Sequence, residues 1–177
     1  MTVKNKSNAM PGAASKVADP FAWFSAQCEA KRVTADHLDY LANALDYDSD
    51  TTTAVALWLR QELLPAIEDE AHDLFPLLRL RAHKKDDFEG ALSNLTFAHV
   101  HQQTLARRVL PKLEALALIS HPATMDRPLT EAMVDLGSSL RQHAAVLSAI
   151  IMPIARLRLK AQDLVMLGRS IASRRAD

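Results

Sequence analysis

From Pro20 onward, apolar residues recur at intervals of three and four, the spacing of one helical face, and nowhere alternate as in a half-buried strand. Asp19-Pro20 suits a helix start, and Phe21, Phe24, Cys28, Ala35, Leu38 and Leu45 trace one stripe, predicting a first helix from Pro20 to about Leu45. After the polar break Asp46–Thr52, a second helix is expected from about Thr53 to Ala82. Its inward face is Leu59, Leu63, Ala66, Glu70, Leu74, Leu77 and Leu78. Pro65 and Pro76 fall inside it and should bend it without ending it. Beyond the charged turn His83–Asp87, a third helix from about Asp87 to Leu118 carries Leu92, Leu95, His99, Ala106, Val109 and Leu113 at helical spacing. A loop with two prolines (119–128) leads to a fourth helix, about Leu129 to Leu159. There Leu136, Leu140, His143, Leu147, Ile150, Ile151, Ile154 and Leu157 should face inward. A short amphipathic helix, about Ala161 to Arg174, ends the chain.

Part of this pattern occurs twice. Shifted by 77 residues, Ala66–Arg81 lies over His143–Arg158, with Pro76 on Pro153, Arg79 on Arg156 and Arg81 on Arg158. Upstream, Leu59 and Leu63 fall on Leu136 and Leu140. Two related helical hairpins with short connections predict an all-α, up-down-up-down four-helix bundle with a short fifth C-terminal helix. Residues 1–18 are polar and aperiodic and read as a loose tail; 19–177 read as the single bundle domain.

Composition narrows the function classes. Four glycines among 177 residues, with 49% apolar content, suit helices. Lysine plus arginine and aspartate plus glutamate each number 21, so no net field draws nucleic acid or an anionic membrane. The basic final helix (Arg169, Arg174, Arg175) does not change that reading. The sole cysteine, Cys28, excludes an internal disulfide, and neither a spanning segment nor an apolar leader is evident, so a soluble cytoplasmic protein is expected.

Polar residues interrupt three apolar faces: Glu70, His99 and His143. A carboxylate placed in a dry core needs a cation or donor, and imidazoles from other helices can supply one. Glu70 could pair with either histidine or with Arg32, one turn beyond Cys28. An oxygen and two nitrogens converging in a core also suit a non-haem metal with open positions. Cys28 occupies the matching level of the first helix and could add a thiolate, which favours zinc; otherwise it is a small buried hydrophobe. His101 should point away from His99. His37, His72, His83 and His121 lie off the stripes or in loops. The Arg79/Arg81 and Arg156/Arg158 tails should emerge at one end of the bundle, favoured there by helix C-termini.

From about Pro20 to Arg175 the chain resembles the hemerythrin-like, HHE cation-binding family. The resemblance is carried by Asp73–Arg81 (DLFPLLRLR), Met152–Leu159 (MPIARLRL), the Leu92–Leu95–His99 pattern and His143. It implies a four-helix bundle enclosing two non-haem irons that bind or sense dioxygen, nitric oxide or iron. Half the ligand places differ: Cys28 stands for the first-helix histidine, Ala66 for the second-helix histidine and Leu147 for the fourth-helix carboxylate. What survives is Glu70, His99 and His143, enough for one metal, iron or zinc, and not for a di-iron centre. The expectation is therefore a non-enzymatic sensing or binding protein holding at most one metal, for a small ligand such as O2 or NO. A metal-free regulatory or protein-interaction bundle is the alternative, and an oxidase-like reaction at an open iron position a distant third.

Overall fold

The computed structural model describes residues 17–176, and every regular element among them is helical. The tail expected over 1–18 lies, for residues 1–16, outside the described residues. Helix α1 (Pro20–Asn43) starts where Asp19 Oδ1 accepts the backbone N–H groups of Phe21 and Ala22. It stops at Asn43, so Leu45, expected on the buried stripe, is 85% exposed. Asp48 caps α2 (Ser49–Gln61). Right-handed helical backbone then continues through α3 (Leu63–Glu68), a π-helical segment (Asp69–Leu74) and α4 (Phe75–Arg81). Helix α5 (Glu89–Ile119) follows, then α6 (Arg127–Val146), a second π-helical segment (Leu147–Ile151), α7 (Met152–Arg158) and α8 (Ala161–Arg174). No helix among the described residues is long and apolar enough to cross a membrane.

The two π segments are the structural form of the internal repeat. Each widens one turn immediately before a proline: Phe75 N–H bonds Glu70 C=O ahead of Pro76, and Met152 N–H bonds Leu147 C=O ahead of Pro153. Proline inside an α-helix clashes with the carbonyl four residues back; the wider turn relieves that clash without ending the helix. The extra residue also rotates everything downstream. Ile151 is buried as expected and Ile154 packs half-buried against the core, but Met152 and Ala155 join them inside, whereas Ile150 and Leu157, expected inside, are 41% and 70% exposed. An unbroken 3.6-residue period cannot anticipate this shift.

Helix α1 packs along α6, and α5 packs against α6 and α2. The α1–α6 approach is close enough at Gly137 that a Cβ there would meet Ala35 O at 3.2 Å. The core has two apolar halves. One holds Ala35, Leu38, Trp58, Leu105, Val109 and Leu136; the other holds Phe24, Leu74, Leu92, Leu95, Leu147 and Ile151. Between them lie Lys31, Glu70, His99 and His143, one from each of four helical stretches and all buried. A polar layer thus divides the interior at mid-height.

Helix α8 is fastened beside this layer. Asp69, the fully buried neighbour of Glu70, pairs with both Arg174 and Arg175, and Trp23 Nε1 donates to it at 3.3 Å. Arg175 also lies 4.4 Å from the centre of the Trp23 ring. Burial pushes the Asp69 carboxyl up, and the two guanidinium groups oppose that rise. The arginine tails are similarly committed: Arg81 to buried Asp163 at 2.8 Å, Arg158 to Asp86 at 2.6 Å, Arg79 to Glu89, and Arg156 over the Phe21 ring. They tie helix ends together. Asp69→Ala should leave the Arg175 guanidinium without a carboxylate partner, while Arg174 keeps Asp73 at 2.9 Å and Glu68 at 3.2 Å. The cost should be about 1.5–3 kcal/mol, and the loss should be local to α8. Hydrogen exchange is the check: amides of 161–174 should exchange faster while those of α5 and α6 hold.

Candidate metal centre

Each member of the polar layer is placed by its helix. Glu70 lies in the first π segment, and its carbonyl accepts the widened-turn bond from Phe75. His99 sits at the middle of α5, His143 near the end of α6 and Lys31 at the middle of α1. Glu70 Oε2 accepts from His143 Nε2 at 2.6 Å and from His99 Nε2 at 2.9 Å. Its other oxygen, Oε1, accepts from Lys31 Nζ at 2.5 Å. The His99 ring lies between Phe75 (centroids 5.7 Å apart) and His143 (5.0 Å), which fixes its plane. Lys31 and Glu70 are both 0% exposed.

Glu70, His99 and His143 therefore converge, each offering a ligand atom within 4.8 Å of the others, and the cluster can hold a metal ion. Cys28 is not part of it. The buried thiol packs in the apolar half that holds Phe24 and Leu147. Burial pushes its pKa up, against the influence of Ser148 and of the nearby Lys31 and Arg32 charges, so the softer thiolate ligand set does not assemble. Arg32, a candidate partner of Glu70, instead reaches Ser148 Oγ at 3.1 Å and Glu29 at 3.3 Å. His101 is exposed, as its two-residue offset from His99 requires.

Lys31 is the member that the apolar pattern does not announce. Positions 24, 28, 31, 35 and 38 form one buried stripe of α1, so helical spacing contains it. Its side chain nevertheless reads as surface, because lysine is rarely interior without a partner. The signal available was the complementary one: a buried Glu70 requires a cation, and residue 31 fills the two-turn gap between Cys28 and Ala35.

This cation governs how well the donor set suits a metal. A divalent ion on Glu70 about 4 Å from an ammonium would meet a repulsion of roughly 8 kcal/mol at an effective dielectric of about 20. The imidazoles raise a second objection. A ligating histidine normally donates its other ring N–H to an acceptor, yet Nδ1 of both His99 and His143 is buried without a partner among the described residues. With both Nε2–H groups on Glu70, the Nδ1 atom left over is a lone pair, which is cheaper to bury unpaired than an N–H. The residues fit an ion pair with two imidazole donors better than they fit a metal.

Protonation follows the same geometry. Burial would raise the Glu70 carboxyl, but His143 and Lys31, with hydrogen bonds from both rings, hold it well below the usual carboxylate range. Burial pushes His143 down to about 4 despite Glu70, so its imidazole is uncharged at neutral pH. Below about pH 6.5 the unfolded chain binds a proton at His143 that the folded chain refuses, so stability falls with acidification until about pH 4. A displacement from 6.5 to about 4 corresponds to on the order of 3 kcal/mol. The Glu70 contribution is lost only at still lower pH, as its carboxylate finally protonates. Thermal melts at pH 7, 6 and 5 should show this decline, and His143→Gln should flatten it.

Comparison with protein-family models, with curated proteins and with solved structures found no match to this chain.

Proposed function

We propose that this chain is a hemerythrin-like, up-down-up-down four-helix bundle in which an internal ammonium has taken over the role of the metal. It acts as a metal-independent binding or regulatory module and has no catalytic turnover. The observation that carries this reading is the 2.5 Å contact between Lys31 Nζ and Glu70 Oε1, with both residues fully buried. The repeat-related π segments and the position of Glu70, His99 and His143 between two apolar halves support the kinship. At the level where the resemblance would place metal, the positive charge is already supplied. Both Glu70 oxygens are taken up by the ammonium and the two imidazoles.

A second reading rests on the convergence of three donor atoms. In it a single non-haem ion, iron or zinc, is held by Glu70, His99 and His143 after Lys31 withdraws, and serves small-ligand or redox sensing. Elemental analysis of protein grown with added iron and zinc separates the two. The lysine-filled centre predicts far less than one equivalent of either metal. A stoichiometry of about one, abolished by His99→Ala, selects the second reading, and two irons would reinstate the full family centre.

A further inference from the structure

The two copies of the internal repeat differ on their outer faces. Shifted by 77 residues, Glu68, Asp69, His72 and Asp73 fall on Ala145, Val146, Ala149 and Ile150, and Leu80 falls on Leu157. In the first copy this face is covered by α8. Arg174 pairs with Asp69 and reaches Glu68 at 3.2 Å and Asp73 at 2.9 Å, and Ser170 Oγ donates to Asp73 at 2.7 Å. In the second copy the matching positions are apolar, and Ala145, Ala149, Ile150, Pro153 and Leu157 are exposed. From His143 to Ala155 the chain carries no lysine, arginine, aspartate or glutamate. Its one hydroxyl, on Ser148, is turned to Arg32 at 3.1 Å. Phe97, 76% exposed on α5, flanks this face and lines one cleft with Val146. An outward helical face without a polar side chain has the composition of a packed surface.

The ends of the stripe indicate what covers it. Asp135 is exposed on the same face of α6, about two turns before Gln142. Arg156 is exposed beyond the other end, over the Phe21 ring. Neither has an ion-pair partner among the described residues. A face that is acidic at one end, uncharged in the middle and basic at the other complements itself when turned end for end.

We infer that two copies of this chain pair through α6, the second π segment and α7, antiparallel about a two-fold axis at Ala145 and Val146. That register sets Gln142 level with the partner's Ala149, Ser138 with the partner's Pro153, and Asp135 with the partner's Arg156. Ala145 and Ala149 let the two helices approach closely, while Ile150 and Phe97 supply apolar surface to either side. Lys31 and the groups around Glu70 take no part, so the pairing holds whichever reading of the polar layer is correct.

Sedimentation equilibrium of the full-length wild-type chain, up to about 100 μM, should give twice the chain mass. Ile150→Glu should abolish the dimer with the far-ultraviolet dichroism unchanged, while Leu118→Glu, 88% exposed at the end of α5, should leave it intact. Asp135→Arg and Arg156→Asp should each weaken dimerisation about tenfold, because the two-fold axis repeats the charge pair, and the double swap should restore it. A wild-type chain that stays monomeric, leaving residues 1–16 or another protein to cover the stripe, overturns the pairing. So does a dimer indifferent to Ile150→Glu, or a double swap that restores nothing.

Discussion

Lys31→Met should destabilise the protein by about 3–5 kcal/mol, the cost of leaving one member of a buried ion pair without its partner. Methionine matches lysine in length and removes only the charge, so cavity formation contributes little. Glu70 would then keep its two imidazole donors but lose the ammonium on Oε1, in a site with no access to water. For a chain of this size the melting temperature should fall by roughly 6–20 °C. An exposed control, Lys85→Met, should change stability by less than about 0.5 kcal/mol. If the two variants melt alike, Lys31 is not buried against Glu70 and the description of the polar layer fails.

Glu70→Leu should be at least as damaging, because it strands the ammonium and removes the acceptor of both rings. Leucine is sterically reasonable there, since the repeat places Leu147 at the equivalent point of the second π segment. The decisive outcome is the double variant. Once Glu70 is gone, Lys31→Met removes an unpaired buried charge, so the same substitution that weakens the wild-type chain should strengthen Glu70→Leu. Urea unfolding of the four proteins measures that reversal, with an expected coupling of several kcal/mol, at or above the roughly 3 kcal/mol that neighbouring groups reach. Additive losses would mean that the two residues do not share one environment.

Much of this architecture is legible in the chain because helical burial writes itself as a 3.6-residue period. Leu92, Leu95, His99, Val109 and Leu113 of α5 are all buried as that period requires, and Asp19 and Asp126 cap helices that carry proline in their first turn. The convergence of Glu70, His99 and His143 is legible for the same reason, each being a polar residue on an otherwise apolar face. Two features are not. The π segments lie immediately before Pro76 and Pro153, and the extra residue of the second leaves Ile150 and Leu157 off the expected face. Lys31 is hidden by its own chemistry, since a lysine on a stripe looks like an interruption until its carboxylate is known to lie opposite. Cys28 shows the converse: its position on α1 is right for a ligand, but it packs in the apolar half with Phe24 and Leu147 and stays out of the cluster.

The central claim is that an ammonium, and not a metal ion, neutralises Glu70. Calorimetric titration of zinc into wild-type protein and into Lys31→Met tests it most directly. The wild-type chain should show no stoichiometric site, while Lys31→Met should gain about one, held by the two imidazoles and the carboxylate and accompanied by recovery of its melting temperature. Stoichiometric zinc binding by the wild-type chain, as tight as or tighter than that of the variant, would contradict the account.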